Sequence, residues 1–321
     1  MKEWKKVLGI YLLLIILKII FISLLRGPSV FSDGFIYSKI AQSIYETGKI
    51  SIYNIPSNSH PPLYSLLLSL SYIANNMEIT YYIMKLINVF VSTTLIIPVW
   101  LLAKEFLNKK NSLLITLLIG IMPFNFIFSG FIMSENLFFP LTLFTVYFFY
   151  KSLIQNNWKY GIISGIFGGL AFLTKTSALA LLGTFVITIL ILVWRKQNCL
   201  KSGISSITTF CSIISIWFIR NGLIYGFTLS GIMGNYAREI TEIQAHNIIP
   251  NFLTWILLYF TALMLSSGII LFIEGLRLVQ KENKSVKLLT FTTITLSLAT
   301  FFVIIAANHN LHILYTSTFI P

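Results

Sequence analysis

Long apolar runs separated by short polar segments are the main pattern of this chain. Runs of about 20 apolar residues predict helices that cross a membrane. About nine such spans are predicted, at residues 7–25, 81–103, 112–128, 136–150, 160–173, 177–194, 203–219, 252–273 and 288–306. The predicted fold class is therefore an all-α polytopic membrane protein, with one transmembrane domain over residues 1–306 and a polar tail at 307–321.

Two long polar intervals interrupt the spans, a first loop at residues 26–80 and a second at 220–251. Inside the first loop, residues 62–74 are apolar. They number only about 13, too few to cross roughly 30 Å of hydrocarbon at 1.5 Å per residue. An interfacial or re-entrant helix is predicted there, preceded by an amphipathic helical run that starts near Asp33.

The basic residues predict the orientation of the spans. Lys5 and Lys6 precede the first span and are expected in the cytoplasm, which sends both loops to the outer face. If residues 62–74 do not cross, every strongly basic tract falls on one side. If they cross, the tract at 104–110 moves to the outer face. Basic tracts then lie on both sides of the membrane, contrary to the rule that they stay in the cytoplasm. The sequence therefore predicts a multi-pass cell-membrane protein with a cytoplasmic N-terminus.

Composition excludes an ordinary soluble globule. Of the 321 residues, 56% are hydrophobic and 10% are charged, whereas soluble domains average about 25% charged residues. The net charge of +13 could indicate a nucleic-acid partner. The lysines and arginines instead lie mainly in short tracts between apolar runs, as in membrane proteins, so no nucleic-acid partner is expected.

The predicted orientation gathers the remaining polar side chains at the outer ends of several spans. A charge near the hydrocarbon boundary is costly unless it is paired or wetted. This distribution therefore indicates a water-accessible cavity on the outer face. Its candidate members are Asp33, Glu46, Glu78, Glu135, Glu239, Glu242, Lys175, Arg220, Arg238, His60, His246, His309 and His312.

Asp33 and His60 are the main candidates in the first loop. Asp33 precedes a helical run, so it can be a helix N-cap; a carboxylate at a membrane–water boundary can equally act as a general base on a hydroxyl. His60 precedes two prolines, which fix the backbone. Its segment is either a simple turn or a device that holds the imidazole towards the cavity as an anion contact or a metal ligand.

Three further candidates open or close spans on the same face. Glu135 favours a helix N-terminus simply by its charge. Lys175 can bind a lipid phosphate or merely extend its ammonium to the water, and Arg220 allows the same two interpretations. A divalent metal ion is a possible cofactor, with His60 and His246 as weak candidate ligands and no complete ligand set.

Five blocks occur in a fixed order along residues 4–226: D-G-F-I-Y from Asp33, H-P-P-L-Y from His60, S-E-N-L-F-F-P-L from Ser134, G-G-L-A-F-L-T-K-T-S-A-L from Gly168 and W-F-I-R-N-G-L-I-Y-G from Trp217. Together they resemble glycosyltransferase family 39 of the GT-C membrane enzymes. That group contains the dolichyl-phosphate-mannose protein mannosyltransferases and the lipid A aminoarabinose transferases. The resemblance implies a GT-C-like helical bundle.

The resemblance also implies a reaction and roles for particular residues. The reaction is transfer of a sugar from a polyprenyl-phosphate donor to a protein, lipid or glycan acceptor on the outer face, with inversion. By motif position Asp33 matches the catalytic carboxylate and Tyr37 its accompanying tyrosine. Glu135 matches the acid that opens the fourth span, and Lys175 a cation near the donor phosphate. Arg220 lies in an arginine-asparagine block to which no role is assigned.

The chain departs from the family pattern at several positions. Gly34 stands where many relatives carry a second acid, and Ser59-His60 replaces the Glu-Lys pair of some relatives. The residues after 306 look like a lead-in to another span, so a fragment or an inactive truncated copy is an alternative. A membrane transporter, a lipid flippase and a non-catalytic scaffold are further alternatives, although no inverted repeat supports the transporter.

Overall fold

The structure, a computed structural model, describes residues 2–25, 27, 32–74 and 76–234. The predicted spans at 252–273 and 288–306, the tail at 307–321 and most of the second loop lie outside these residues. The candidates that fall outside with them are Arg238, Glu239, Glu242, His246, His309 and His312.

The described residues are almost entirely helical. In chain order the elements are α1 (Lys2–Leu24), α2 (Ser32–Thr47), the strands β1 (Ser51–Ile52) and β2 (Ile55–Pro56), α3 (Leu63–Ser69), a short 3-10 helix (Leu70–Ile73), α4 (Met77–Thr93), α5 (Ile96–Phe106), α6 (Lys109–Gly120), α7 (Pro123–Ser129), α8 (Glu135–Ile154), α9 (Trp158–Thr174), a second 3-10 helix (Thr176–Ala178), α10 (Leu179–Trp194), α11 (Leu200–Tyr225) and α12 (Leu229–Met233).

Five helices in the described part of the chain are long and apolar enough to cross a membrane: Glu3–Leu24, Met77–Phe106, Glu135–Ile154, Thr176–Trp194 and Leu200–Tyr225. They match five of the predicted spans. The span predicted at 160–173 is the helix α9, whose 17 residues are not among the five candidates. The count of nine spans is not confirmed, because two of them lie outside the described residues.

The span predicted at 112–128 is bent rather than straight. It consists of α6 and α7, which meet at an angle of 48° and count as a sixth span if the pair crosses as one. Pro123 begins α7, and Met122 before it has an extended ψ of 133°. Proline disfavours the helical conformation of the residue before it and cannot donate a backbone hydrogen bond, so the helix breaks at this point.

The helix α1 has one buried face and one exposed apolar face. It packs against α4, α5, α6 and α7. Its buried positions recur at helical spacing and are Val7, Leu14, Ile15, Lys18 and Ile22. Leucines and isoleucines on its other side are exposed, as expected for a helix that faces lipid on that side.

The chain divides into two compact units, Met1–Tyr147 with Phe167–Thr176 and Phe148–Ile166 with Ser177–Pro321. In the second unit the Phe149 and Phe185 rings contact each other at an interplanar angle of 48°, and Phe185 meets Phe210 edge to face. There α9 approaches α11 closely, because a Cβ on Gly165 would come within 2.6 Å of the Ser206 carbonyl oxygen. The single domain predicted over 1–306 stays a prediction.

The first loop is part of the first unit and forms short helices there. The helix α2 packs against α3, and Ser65 Oγ donates a hydrogen bond of 3.1 Å to the Tyr37 carbonyl oxygen. The strands β1 and β2 form a hairpin whose two turn residues, Tyr53 and Asn54, both have positive φ. Helices thus form where interfacial helices were predicted, and their position relative to a membrane stays a prediction.

Candidate active site

The carboxylate of Asp33 stands at the start of α2. The helix begins at Ser32, so Asp33 lies inside the first turn rather than before the helix as the predicted N-cap. A carboxylate in the first turn interacts favourably with the helix dipole. The side chain is 48% exposed, and Asp33 therefore combines a fixed backbone with access to solvent.

His60 faces Asp33 from the segment that enters α3. Its Nε2 lies 3.8 Å from Asp33 Oδ1, and its side chain is 13% exposed. Its Nδ1 lies 3.2 Å from Ser59 Oγ, which in turn is 2.9 Å from Ser57 Oγ. The two ring nitrogens thus face different groups, and Nε2 is oriented towards the acid. The predicted role of His60 as an anion contact or a metal ligand stays a prediction.

Burial decides the charge of this histidine. It lowers the pKa of His60 below its ordinary value of 6.5, because a buried imidazolium loses hydration. The Asp33 carboxylate raises the pKa and the Lys175 ammonium lowers it, but both effects are smaller than that of burial. The neutral form of His60 is therefore favoured at pH 7, and its Nε2, 3.8 Å from Asp33 Oδ1, lies just beyond hydrogen-bond distance.

Two buried tyrosines pack next to Asp33 and His60. The Tyr37 ring meets the rings of His60 and Tyr64 edge to face, at centroid distances of 4.8 and 5.0 Å. Both tyrosines are buried. Tyr64 donates a hydrogen bond of 2.9 Å to Asn88 Oδ1. The contact with the Tyr37 ring thus helps to position the His60 imidazole.

Glu135 and Lys175 form an ion pair beside this group. Lys175 Nζ lies 2.5 Å from Glu135 Oε1, with side chains 32% and 13% exposed. Ser134 Oγ lies 3.5 Å from the other carboxylate oxygen. The pair joins the first turn of α8 to the end of α9, and its cation is close enough to affect His60. Lys175 is therefore held by a carboxylate rather than left as an isolated cation.

The opposite face of α2 lines a large cavity of about 1090 Å³ in the first unit. The end of α1 and the first turns of α4 form its other walls. Lys39 and Lys85 both line it, and among the described residues neither has a carboxylate within 4 Å. Lys85 Nζ donates to the Leu25 carbonyl oxygen at 2.9 Å. Aromatic and apolar side chains supply most of the rest, with Glu78 as the one acid in the lining.

Arg220 belongs to the second unit. Its Nη1 donates a hydrogen bond of 2.8 Å to Asn221 Oδ1, and its guanidinium lies 5.0 Å above the Trp217 ring. Of the residues predicted from the sequence, the structure therefore brings together Asp33, Tyr37, His60, Glu135 and Lys175.

Sequence reasoning did not assign roles to three residues that hold this group in place. Tyr64 and Asn136 both stand inside the quoted blocks, directly in H-P-P-L-Y and S-E-N, so their signal was present. Asn136 Nδ2 donates to the carbonyl oxygens of residues 128, 131 and 133. Asn88, in the middle of an apolar span, joins Tyr64 to the Phe131 carbonyl oxygen.

The geometry around His60 does not test metal binding. Within the described ranges no cluster of three or more histidine, cysteine, aspartate and glutamate residues could hold a metal ion. His60 has Asp33 as its one acidic neighbour, and His246 lies outside the described residues. The possible divalent metal ion stays a prediction.

A sequence model of the dolichyl-phosphate-mannose-protein mannosyltransferase family matches residues 59–219, half of the chain. The chain belongs to this family. No curated protein matches the chain, and no solved structure matches it.

Members of the dolichyl-phosphate-mannose-protein mannosyltransferase family are membrane glycosyltransferases that use a polyprenyl-phosphate sugar donor. The matched segment contains His60, Glu135 and Lys175. Asp33 and Tyr37 precede it, and Arg220 follows directly after it. Family membership thus supports a multi-pass membrane glycosyltransferase, and the roles of individual residues rest on their geometry.

Proposed function

We propose that this chain transfers a sugar from a polyprenyl-phosphate donor to an acceptor hydroxyl on the extracytoplasmic face of the cell membrane, with inversion at the anomeric carbon. The observation that carries this proposal is the exposed Asp33 carboxylate, held 3.8 Å from a buried imidazole beside the Glu135–Lys175 ion pair. Family membership supports the same reaction class.

Asp33 acts as the general base. The acceptor oxygen attacks the anomeric carbon and its proton moves to the Asp33 carboxylate, while the bond from that carbon to the phosphate oxygen breaks. The electron pair of the broken bond leaves with the polyprenyl phosphate. Since a phosphate is already a good leaving group, the protein needs to align the reactants, compensate charge and accept one proton.

Cations near the site compensate the phosphate charge. Lys175 contacts the donor phosphate, and Glu135 fixes the position of its ammonium at 2.5 Å. The cavity on the other face of α2 accommodates the lipid part of the donor, because its walls are mainly apolar, and its Lys39 and Lys85 add positive charge for the phosphate end. Anionic groups of lipids are attracted to lysines placed in this way.

Neutral His60 helps to orient the Asp33 carboxylate without pairing with it as a charge. An imidazolium at 3.8 Å would attract the carboxylate and weaken it as a base, since an opposite charge favours the ionised form. Burial holds the pKa of His60 low, so this attraction is absent at pH 7. Tyr37 maintains the ring orientation by its edge-to-face contact.

The decisive experiment measures transfer of radiolabelled sugar from polyprenyl-phosphate donors in membranes that contain the full-length chain. The variant Asp33→Asn keeps the shape of the side chain and loses the base, so transfer should fall about 100- to 10,000-fold. Glu46→Gln is the matched control, since Glu46 is an exposed acid on the same helix that accepts a hydrogen bond from Gln42. Near-normal transfer by Asp33→Asn would exclude Asp33 as the base.

A transporter is a second candidate, and two observations favour it. Lys18 is buried within a span, and α6 and α7 form a broken helix pair, features that occur in transporters. Uptake or lipid scrambling in proteoliposomes without sugar transfer would support this function. Sugar transfer without scrambling would support the transferase.

A further inference from the structure

Lys18 is a fully buried lysine in the middle of α1. Its side chain has no exposed surface, and among the described residues no carboxylate lies within 4 Å of its ammonium. Nζ donates hydrogen bonds of 2.8 Å to Ser92 Oγ and 3.1 Å to Asn125 Oδ1. The polar contacts of the ammonium therefore come from neutral groups on α4 and α7.

Such an arrangement is energetically unfavourable without a further contribution. Ionisable groups inside a membrane are rare and face the bundle interior, where they pair with each other or with polar groups. Two neutral hydrogen bonds satisfy only part of the donor capacity of an ammonium, which has three N–H groups. A nearby negative charge would lower the cost of burying this cation.

The residues that contact Lys18 lie beside a cavity that a carboxylate, Glu135, also lines. Ser92 and Asn125 line a small cavity of about 10 Å³, and Glu135 and Asn136 line the same cavity. Asn136 uses its Nδ2 for three carbonyl oxygens, while its buried Oδ1 has no partner among the described residues. The rest of the lining is apolar, and the volume is about that of one water molecule, for which these four polar residues are the available hydrogen-bond partners.

We propose that Lys18 is a positioning residue for Glu135. A hydrogen-bonded chain runs from the Lys18 ammonium through Ser92 and Asn125, across one water in the small cavity, to Asn136 and the Glu135 carboxylate. The positive charge at one end stabilises the carboxylate at the other end. Glu135 in turn holds Lys175, so the effect on sugar transfer rests on the proposed function, whereas the coupling between Lys18 and Glu135 does not.

A purely structural role is the competing explanation. Asn125 Nδ2 donates to the Gly120 carbonyl oxygen at the break between α6 and α7. Lys18 could therefore serve only to fasten this broken helix to α1. The two explanations differ in whether the loss of stability on removal of the ammonium depends on the charge of Glu135.

A double-mutant cycle distinguishes them. Lys18→Met, Glu135→Gln and the combined variant are compared as purified full-length protein by thermal unfolding. If Lys18 stabilises the carboxylate, the drop in Tm caused by Lys18→Met should be smaller by about 2–4 °C in the Glu135→Gln background. Additive shifts would overturn the proposal.

Ser92→Ala is the second variant, for the case that Lys18→Met does not fold. It removes one link of the chain and should show the same coupling to Glu135 in a reduced form. Thr93→Val is the matched control, because Thr93 is the adjacent buried residue and its hydroxyl bonds within its own helix to the Val89 carbonyl oxygen. Its effect should add to that of Glu135→Gln.

Transfer activity supplies the readout that a structural role would not move. Well below its Tm, Lys18→Met should lose about tenfold in kcat/KM for the donor, and no further loss should appear in the Glu135→Gln background. Coupled Tm values with unchanged transfer would overturn the positioning role. Failure of the wild-type chain to transfer any sugar would overturn the proposed function, and the Tm cycle would still decide the link between Lys18 and Glu135.

Discussion

The two faces of α2 differ in the sign of the charged side chains that lie on them. On one face Asp33 and Tyr37 lie one turn apart and contact His60. On the other, Ser38 and Lys39 line the large cavity together with Lys85. The Asp33 carboxylate and the two lysines of the cavity thus lie on different faces of this helix. About 100° of rotation per residue is enough to direct neighbouring side chains of one helix to different surroundings.

The largest effect is expected on the Asp33 face, from Lys175→Met. This change leaves the half-buried Glu135 carboxylate without its cation, which should cost about 1–3 kcal/mol of unfolding free energy and about 2–6 °C in Tm. Transfer should fall about 100-fold, because a preorganised cation is lost. Thermal unfolding and radiolabelled transfer measure the two effects.

The combined variant Glu135→Gln/Lys175→Met is the control for this prediction. It removes both charges, so the Tm should recover while transfer stays low. Recovery of transfer together with Tm would mean that Lys175 only stabilises the fold and that this face needs no cation.

An intermediate effect is expected on the cavity face, from Lys39→Gln. If the donor lies in the cavity, loss of this charge should raise the KM for the donor about tenfold with little change in kcat, because one charge-assisted contact is lost. Lys49→Gln is the matched control, since Lys49 is an exposed lysine just after α2. Equal KM values for both variants would place the donor outside this cavity.

The smallest effect concerns pH and sharpens the role of His60. Burial lowers the pKa of His60 below 6.5, so the unfolded chain binds a proton more readily than the folded chain. The free energy of unfolding should therefore decrease as the pH falls from 6.5 through the folded-state pKa, and then level off. Between pH 7.5 and 5.5 the Tm of the wild type should drop by about 2 °C more than that of His60→Gln. Parallel curves would contradict a buried neutral histidine.

Apolar periodicity was sufficient to place most helices. Five predicted spans coincide with long apolar helices in the described residues, because a span needs only length and a lack of charge. The bend between α6 and α7 could have been predicted too, since Pro123 stands inside the predicted span. The helix α9 has 17 residues and is shorter than the five long apolar helices, so the span predicted at 160–173 stays a prediction.

The candidate residues were named from the sequence, but most of their partners were not. The pairing of Glu135 with Lys175 joins positions 40 residues apart, and either residue alone was equally compatible with a helix cap or a cation near the lipid head groups. The H-P-P-L-Y block pointed to Tyr64 but not to its contacts, since an aromatic residue in an apolar helix looks the same in the sequence whichever way it faces.

The sequence by itself determined the class of protein, the position of its helices and the chemical groups available to the site, because these depend on local composition and on the repeat of a single helix. The tertiary structure alone decided which groups meet. Lys18 shows the difference most clearly: its partners lie 74 and 107 residues away. Contacts of that kind depend on how several helices pack around one another, and no local pattern records that arrangement.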